Sequence, residues 1–241
     1  MTAHSLFISD LHLVSRRPRS VAQFFELAGG PAREAEALYV LGDLFEYWAG
    51  DDDVEDALNE SIADTFARLG SDGTRVYFMH GNRDLLVGRE FAQRAGAALL
   101  DDPTLLQLYG APTLLMHGDA LCTDDIDHQE FRTYARNPEN QMRFLAQPLA
   151  VRRAAMESMR ERSEAAKQEK TAEVMDVNDG AVEQALRDAG YPRLIHGHTH
   201  RPGRHLHVVD GHDCERWVLG DWYDTGSYLR CDASGCRSVS L

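Results

Sequence analysis

The chain is short of several things, and each shortage excludes something. It has only four cysteines, Cys122, Cys214, Cys231 and Cys236. None forms a Cys-x-x-Cys pair, so a structural zinc site is not expected, and the four read as free thiols of a reducing compartment. Positive charge is in deficit: 25 Lys and Arg stand against 39 Asp and Glu, for a formal −14 at pH 7. A general nucleic-acid binder needs a basic surface, so no nucleic-acid partner is expected. Long apolar runs are missing too; none approaches the roughly 18 residues that span a bilayer. The opening Met1-Thr2-Ala3-His4-Ser5 lacks a basic segment followed by an apolar one, so the expected compartment is the cytoplasm. What is present is 241 residues, 43% of them hydrophobic, which is enough for a folded core.

One pattern recurs along the chain. A short apolar run rich in strand formers passes directly into glycine and polar residues. Leu6-Phe7-Ile8 leads into Ser9-Asp10-Leu11-His12, and Leu38-Tyr39-Val40-Leu41 into Gly42-Asp43. Val76-Tyr77-Phe78-Met79 leads into His80-Gly81-Asn82-Arg83-Asp84, Leu114-Leu115-Met116 into His117-Gly118-Asp119, and Leu194-Ile195 into His196-Gly197-His198-Thr199-His200. Such runs fit buried strands, and reactive groups on such sheets gather at the strands' carboxyl ends. Five runs ending in capable side chains therefore predict one shared site in an α/β fold. Helical spacing marks 53–69, 87–96 and the segment after Asn178, an expected N-cap; from 205 onward the chain reads as short strands and turns.

Residues 131–172 break this rhythm. They hold no glycine, and Pro138 and Pro148 are expected to interrupt their helices. Nine Lys and Arg face five Glu there, so the segment carries +4 and the rest of the chain −18. Its apolar residues include Phe131, Tyr134, Met142, Phe144, Leu145, Leu149, Val151, Met156 and Met159. The expectation is a helical lid over about 127–172 within one domain spanning 1–241. It would offer an apolar groove with basic residues near it; the plainer reading is a hairpin whose Met and Leu stripe is ordinary core.

The residues at the strand ends form a metal-binding set. Asp10-x-His12 and His198-x-His200 each place two ligands two residues apart, which on an extended backbone face one side. Asp43 and His117 add an oxygen and a nitrogen, and Asn82 a neutral carbonyl oxygen. Mixed oxygen and nitrogen ligands without sulfur suit Mn²⁺, Fe²⁺, Co²⁺ or Zn²⁺. Two divalent ions against two carboxylates leave roughly +2 to attract phosphate oxygens and acidify a water between the ions.

These motifs, in this order, resemble the calcineurin-like metallophosphoesterases, whose pattern runs Asp-x-His, Gly-Asp, Gly-Asn-(His/Arg), a His-Gly pair and Gly-His-x-His. The resemblance implies two packed β-sheets flanked by helices. It implies two divalent ions, manganese by family habit. Asp10, His12 and His200 would hold one, Asn82, His117 and His198 the other, and Asp43 would bridge them. Much of the family carries a proton-donating histidine after Gly-Asn. Here the position is Arg83, which keeps its proton at working pH but can hold phosphate oxygens and stabilise developing charge. Such a site suits a leaving group that departs unprotonated, as a phosphate does from a pyrophosphate.

Finer matches follow in His117 to Asp125, Met175-Asp176-Val177-Asn178, Ile195 to Pro202 and Leu219-Gly220-Asp221-Trp222-Tyr223. They resemble the branch of the family that splits a lipid-linked UDP-sugar, UDP-2,3-diacylglucosamine, in lipid A synthesis. That likeness implies attack of water on the α-phosphorus, with Asp43 and Arg83 as catalytic residues. It places Asn82, Arg83, Asp125, Ser163, Lys167, Lys170 and His198 on the substrate. It also implies peripheral contact with the cytoplasmic face of the inner membrane and no obligate protein partner. A hydrolase of a soluble nucleotide or nucleoside-diphosphate sugar is the alternative, and a metal-site scaffold without activity a more distant one.

Neighbouring residues carry plainer expectations. His80 is read as a strand-end structural residue, and His196 as facing away from the ligands. Asp84 and Asp119 are expected to orient Arg83 and His117. His128, His205, His207 and His212 are expected on the surface or in turns, and Trp222 and Tyr223 beneath the site.

Overall fold

A computed structural model describes residues 3–53, 57–169 and 174–241, with side chains described except over 164–169. Eleven strands are seen among the described residues: β1 His4–Ile8, β2 Ala37–Leu41, β3 Arg75–Met79, β4 Ala97–Leu100, β5 Thr104–Leu108, β6 Ala111–Leu115, β7 Arg193–His196, β8 Gly203–Val209, β9 His212–Val218, β10 Ser227–Asp232 and β11 Gly235–Ser240. The α-helices are α1 Pro18–Gly29, α2 Ala57–Ser71, α3 Arg89–Ala95, α4 Ile126–Ala135, α5 Pro138–Leu145, α6 Leu149–Glu169 and α7 Asp179–Asp188. One sheet runs β11-β10-β1-β2-β3-β4 and the other β5-β6-β7-β9-β8. These are the two packed, helix-flanked sheets expected.

Side-chain alternation explains the layering. Successive strand residues point to opposite faces. Leu6, Ile8, Leu38, Val40, Val76 and Phe78 pack against α1, α2 and α3 through Phe24, Leu27, Ile62, Phe66 and Phe91. Between them, Phe7, Tyr39, Leu41 and Met79 face the other way and meet Leu115 and Ile195 of the second sheet. That sheet's outer face, Leu114 and Leu194, is covered by Val182 and Leu186 of α7. The inner strands are buried on both faces, so they read as unbroken apolar runs. Asn178 caps α7 as expected, its Oδ1 accepting from the Ala181 N–H at 3.1 Å.

The proline-interrupted segment is helical. Pro138 sits in the first turn of α5, where its missing N–H costs nothing, and Pro148 lies immediately before α6. Phe144 and Met156 turn inward onto the main core, whereas Phe131, Tyr134, Met142, Leu145 and Val151 are exposed. The basic residues of the segment largely serve to dock it. Arg152, 3% exposed, donates to Asp52 Oδ1 at 2.8 Å and to Gln147 O at 2.9 Å. Arg153 donates to Asp53 at 3.0 Å, and Arg132 and Arg136 reach Asp119 at 3.0 and 3.2 Å.

The cysteine expectation needs correction. Cys231 and Cys236 are joined by a disulfide across the β10–β11 hairpin, where they are direct partners in the strand register. A spacing of five places them opposite one another across a tight turn, which a search for Cys-x-x-Cys does not test. Cys122 and Cys214 are free and buried.

Candidate metal centre

The chain ends of β1, β2, β3, β6 and β7 meet at one edge of the double sheet, and the seven expected ligand residues meet there. His117 Nε2 and His198 Nδ1 converge on Asn82 Oδ1 at 3.1 and 3.0 Å. His12 Nε2 and His200 Nε2 lie 3.5 Å apart, and His200 Nε2 is 3.4 Å from Asp10 Oδ1. Asp43 stands between the two groups, Oδ2 at 3.9 Å from His12 Nε2 and Oδ1 at 3.9 Å from His117 Nε2. Ligand atoms of Asp10, His12 and His200 all lie within 4.8 Å of one another, as do those of Asp10, Asp43 and His117.

The backbone achieves this in a way the extended-strand argument did not foresee. Asp10, His12, Asp43, His198 and His200 all have φ between 49° and 68°. They are left-handed turn residues beyond the strand ends, so the i, i+2 pairing comes from turn geometry and not from pleat. Each such non-glycine residue costs about 1–3 kcal/mol and persists only where its surroundings hold it. Here the surroundings are tight. A Cβ on Gly81 would strike Asp43 Oδ1, and one on Gly197 would strike Ser9 Oγ and Asp10 Oδ2. The loops after β1 and β2 run side by side, with His12 N–H donating to Asp43 O at 2.9 Å and Leu13 N–H to Leu44 O at 2.8 Å.

Asp84 is the knot of these loops. Its carboxylate accepts from the N–H groups of Gly81, Asp43, Leu44 and Phe45 at 2.8–3.3 Å. It therefore locks the Gly-Asp loop to the Gly-Asn-Arg-Asp loop, and does not orient the Arg83 side chain as expected. Asp119 likewise accepts from Arg132 and Arg136 at the end of α4 and makes no hydrogen bond to His117, on which it acts through its charge alone. Three of the four expected ligand imidazoles nonetheless have a polar group behind them. His117 Nδ1 is 2.9 Å from Leu41 O, His200 Nδ1 is 3.6 Å from Asp221 Oδ2, and His12 Nδ1 is 3.8 Å from Glu46 Oε2.

The electrostatics favour a cation. Burial opposes ionisation of Asp10, yet His200, His117 and His12 hold it well below the usual carboxylate range. Burial pushes Asp43 up against the pull of His117. Burial works against charge on His117, but Asp43, Asp119 and Asp10 raise it to about 9. Burial, with His117 alongside, drives His198 well below its ordinary value. A pocket that drags a buried imidazole toward its charged form offers the same field to a metal ion. Asp10 Oδ1, buried and without a hydrogen bond of good geometry, supplies a ready acceptor. The donor set, carboxylates, imidazoles and one amide oxygen, fits divalent ions of intermediate softness.

A cleft of about 330 Å³ opens over the cluster. Asp43, Asn82, Arg83, Asp125, Ser163, His198 and His200 line it, as do Cys122, His128, Met175, Thr199 and Arg201. Arg83 spans it: its backbone N–H donates to Asp43 Oδ1 at 2.8 Å and its side-chain Nη2 to Ser163 Oγ on α6 at 3.2 Å. Asp125 also caps α4, accepting from His128 N–H at 3.1 Å. Lys170 lies outside the described residues, and so does the side chain of Lys167.

Two positions differ from expectation. His128 is a cleft residue whose ring lies 5.0 Å from that of His198, because the first turn of α4 folds over the site. Tyr223 lies over the cluster, stacked on His12 with ring centres 5.4 Å apart, while Trp222 is the fully buried residue beneath. His80 Nε2 donates to Val87 O at 2.7 Å, a structural role as expected. His196 faces away from the ligands toward Arg216, 3.2 Å off, and His205, His207 and His212 lie on β8 and β9. Glu46 and Arg17 had no signal in the sequence; their place depends on the two loops running together.

Fold and site together define a hydrolase of phosphoester bonds that works with divalent metal. The family model for calcineurin-like phosphoesterases matches residues 4–202. A UDP-2,3-diacylglucosamine hydrolase of Aromatoleum aromaticum is 54% identical over 96% of this chain and 94% of the relative. Proteins of the same name from Cellvibrio japonicus and Xanthomonas axonopodis pv. citri are 47% and 48% identical, covering 96% and 98% of each chain. Among solved structures, an archaeal phosphodiesterase aligns over 99% of both chains with a TM-score of 0.49 and 12% identity. This chain belongs to the calcineurin-like phosphoesterase family.

Proposed function

We propose that this protein hydrolyses the pyrophosphate bond of UDP-2,3-diacylglucosamine to UMP and 2,3-diacylglucosamine 1-phosphate, within one domain over 1–241 that includes the helical lid. The observation that carries the reading is Arg83, whose backbone N–H is tied to Asp43 and whose guanidinium reaches Ser163 of the insertion across the cleft. Relatives of 47–54% identity over nearly their whole length carry the matching name.

Asp10, His12 and His200 would hold one divalent ion, and Asn82, His117 and His198 a second, with Asp43 shared; Mn²⁺ is the ion we assign. Bound there, the ions supply Lewis acidity and lower the pKa of an attacking water. The chain's own groups do the rest. Arg83 and Asn82 hold the phosphate oxygens and stabilise charge that grows as the bond to the bridging oxygen breaks. The departing sugar phosphate leaves as a stable anion, so no side chain need protonate it. Asp125, Ser163, Lys167, Lys170 and His198 complete the substrate contacts.

The exposed apolar residues of α4–α6 support peripheral contact with the cytoplasmic face of the inner membrane, where such a substrate resides; no helix among the described residues is long and apolar enough to cross a membrane. The test is release of UMP from UDP-2,3-diacylglucosamine with Mn²⁺, with and without chelator. Chelator-sensitive release that drops when the acyl chains are removed is the expected result. Equal turnover of UDP-glucosamine would favour a soluble nucleotide-sugar as substrate, and no release would end the assignment.

A further inference from the structure

Glu46 is buried, 2% exposed, three residues beyond Asp43 on a loop that no expected role explains. Its backbone N–H donates to Leu13 O at 3.2 Å, which fixes the residue beside the Asp10–His12 turn. Its carboxylate is gripped by Arg17, whose Nη1 lies 3.1 Å from Oε2, with Arg16 at 4.0 Å from Oε1. The same Oε2 lies 3.8 Å from His12 Nδ1, while His12 Nε2 points at the cluster. Arg17 also covers the Tyr223 ring at 4.3 Å, and Tyr223 lies on His12 with 9° between planes. The imidazole is thus sandwiched on one face and met edge-on by a carboxylate.

We infer that Glu46 is the positioning residue for His12, with Arg17 holding it in place: the carboxylate accepts a hydrogen bond from Nδ1–H, which keeps the proton on that nitrogen, so that Nε2 presents its lone pair to a divalent ion. At 3.8 Å the pair is longer than a hydrogen bond, and the inference is that it closes when a cation occupies Nε2. A carboxylate behind a metal-binding histidine fixes the tautomer and makes the nitrogen a stronger ligand; losing such a partner typically weakens metal binding about 10–100-fold. His117 and His200 are backed differently. His117 is backed by the backbone carbonyl of Leu41, and His200 by Asp221, whose side chain is 24% exposed and so better screened. The inference rests on the reading of His12 as a metal ligand.

The test is calorimetric titration of Mn²⁺ into chelator-stripped protein, comparing wild type, Glu46→Gln, Asp221→Asn and His12→Ala. Glu46→Gln should weaken one class of site about 10–100-fold and leave the other unchanged, with a smaller change in Asp221→Asn. His12→Ala should weaken that same class. Loss in His12→Ala but wild-type affinity in Glu46→Gln overturns the positioning role alone. Wild-type binding in His12→Ala overturns the ligand reading and this inference with it. Should Glu46→Gln not fold, Arg17→Gln decides by the same titration, since Arg17 is partly exposed: weakening supports the role, unchanged affinity at both sites overturns it.

Discussion

The metal centre and the helical insertion face each other across one cleft and are built on opposite plans. The centre is made of buried and half-buried side chains, five of the seven on left-handed turns, and backbone hydrogen bonds to Asp84, to Asp10 and between adjacent loops pin them. The insertion rests on arginine–aspartate pairs and presents much of its apolar surface to solvent. The difference teaches where tolerance lies. A site whose chemistry needs atoms placed to a fraction of an ångström sits where nothing can relax. A segment we propose to meet a long flexible substrate can be attached by a few strong contacts and left adaptable elsewhere.

That contrast can be broken at either end. The largest effect is expected at its most shared atom set. Asp43→Ala removes the carboxylate standing between both histidine groups, and turnover should fall to background by UMP release; retained turnover would refute its bridging place. Arg83→Ala comes next. Losing one charge-stabilising donor of this kind costs about 10²–10³ in kcat, and Lys should restore little because it lacks the planar fork that holds phosphate oxygens in a bidentate way.

At the insertion, changes should act on binding and stability before chemistry. Arg152→Met leaves Ala49 O and Gln147 O short of a donor and should destabilise the fold by about 1–3 kcal/mol, read from urea unfolding. It should raise KM more than it lowers kcat. An equal fall in kcat would mean that the two regions are more tightly coupled than their contacts suggest. The smallest effect is expected from Met142→Ser with Leu145→Ser. This should weaken flotation with anionic vesicles a few-fold, in line with the apolar area lost, and leave the metal affinity untouched.

Much of this was legible beforehand, unevenly. The five strand-end motifs could be read because buried strands are continuous apolar runs and glycine marks the turn that follows. Gly81 and Gly197 are required by contacts with Asp43 and with Ser9 and Asp10. The prolines gave the helix breaks of the insertion, since each forbids the preceding hydrogen bond pattern. Asp84 was noticed, but its task was misjudged, because accepting four backbone N–H groups depends on two loops that meet only in space. The docking role of Arg132, Arg136, Arg152 and Arg153 was hidden for the same reason: a charge count cannot distinguish a cation aimed at phosphate from one aimed at an aspartate 100 residues away. His128 and Tyr223 moved from bland to central because helix α4 and the chain after β9 fold over the cluster.

The sequence by itself determined which ligand-capable side chains close the strand-end motifs, the order of the elements and the presence of Arg83 where much of the family has histidine, because these are matters of residue type and local period. The tertiary structure alone decided what stands behind three of the expected ligand histidines. It sets Glu46 behind His12, Asp221 behind His200 and the Leu41 carbonyl behind His117, and it pairs Cys231 with Cys236. Such partners are chosen by which loops run side by side once two sheets have packed. Packing is settled by the whole core and is written at no single position in the chain.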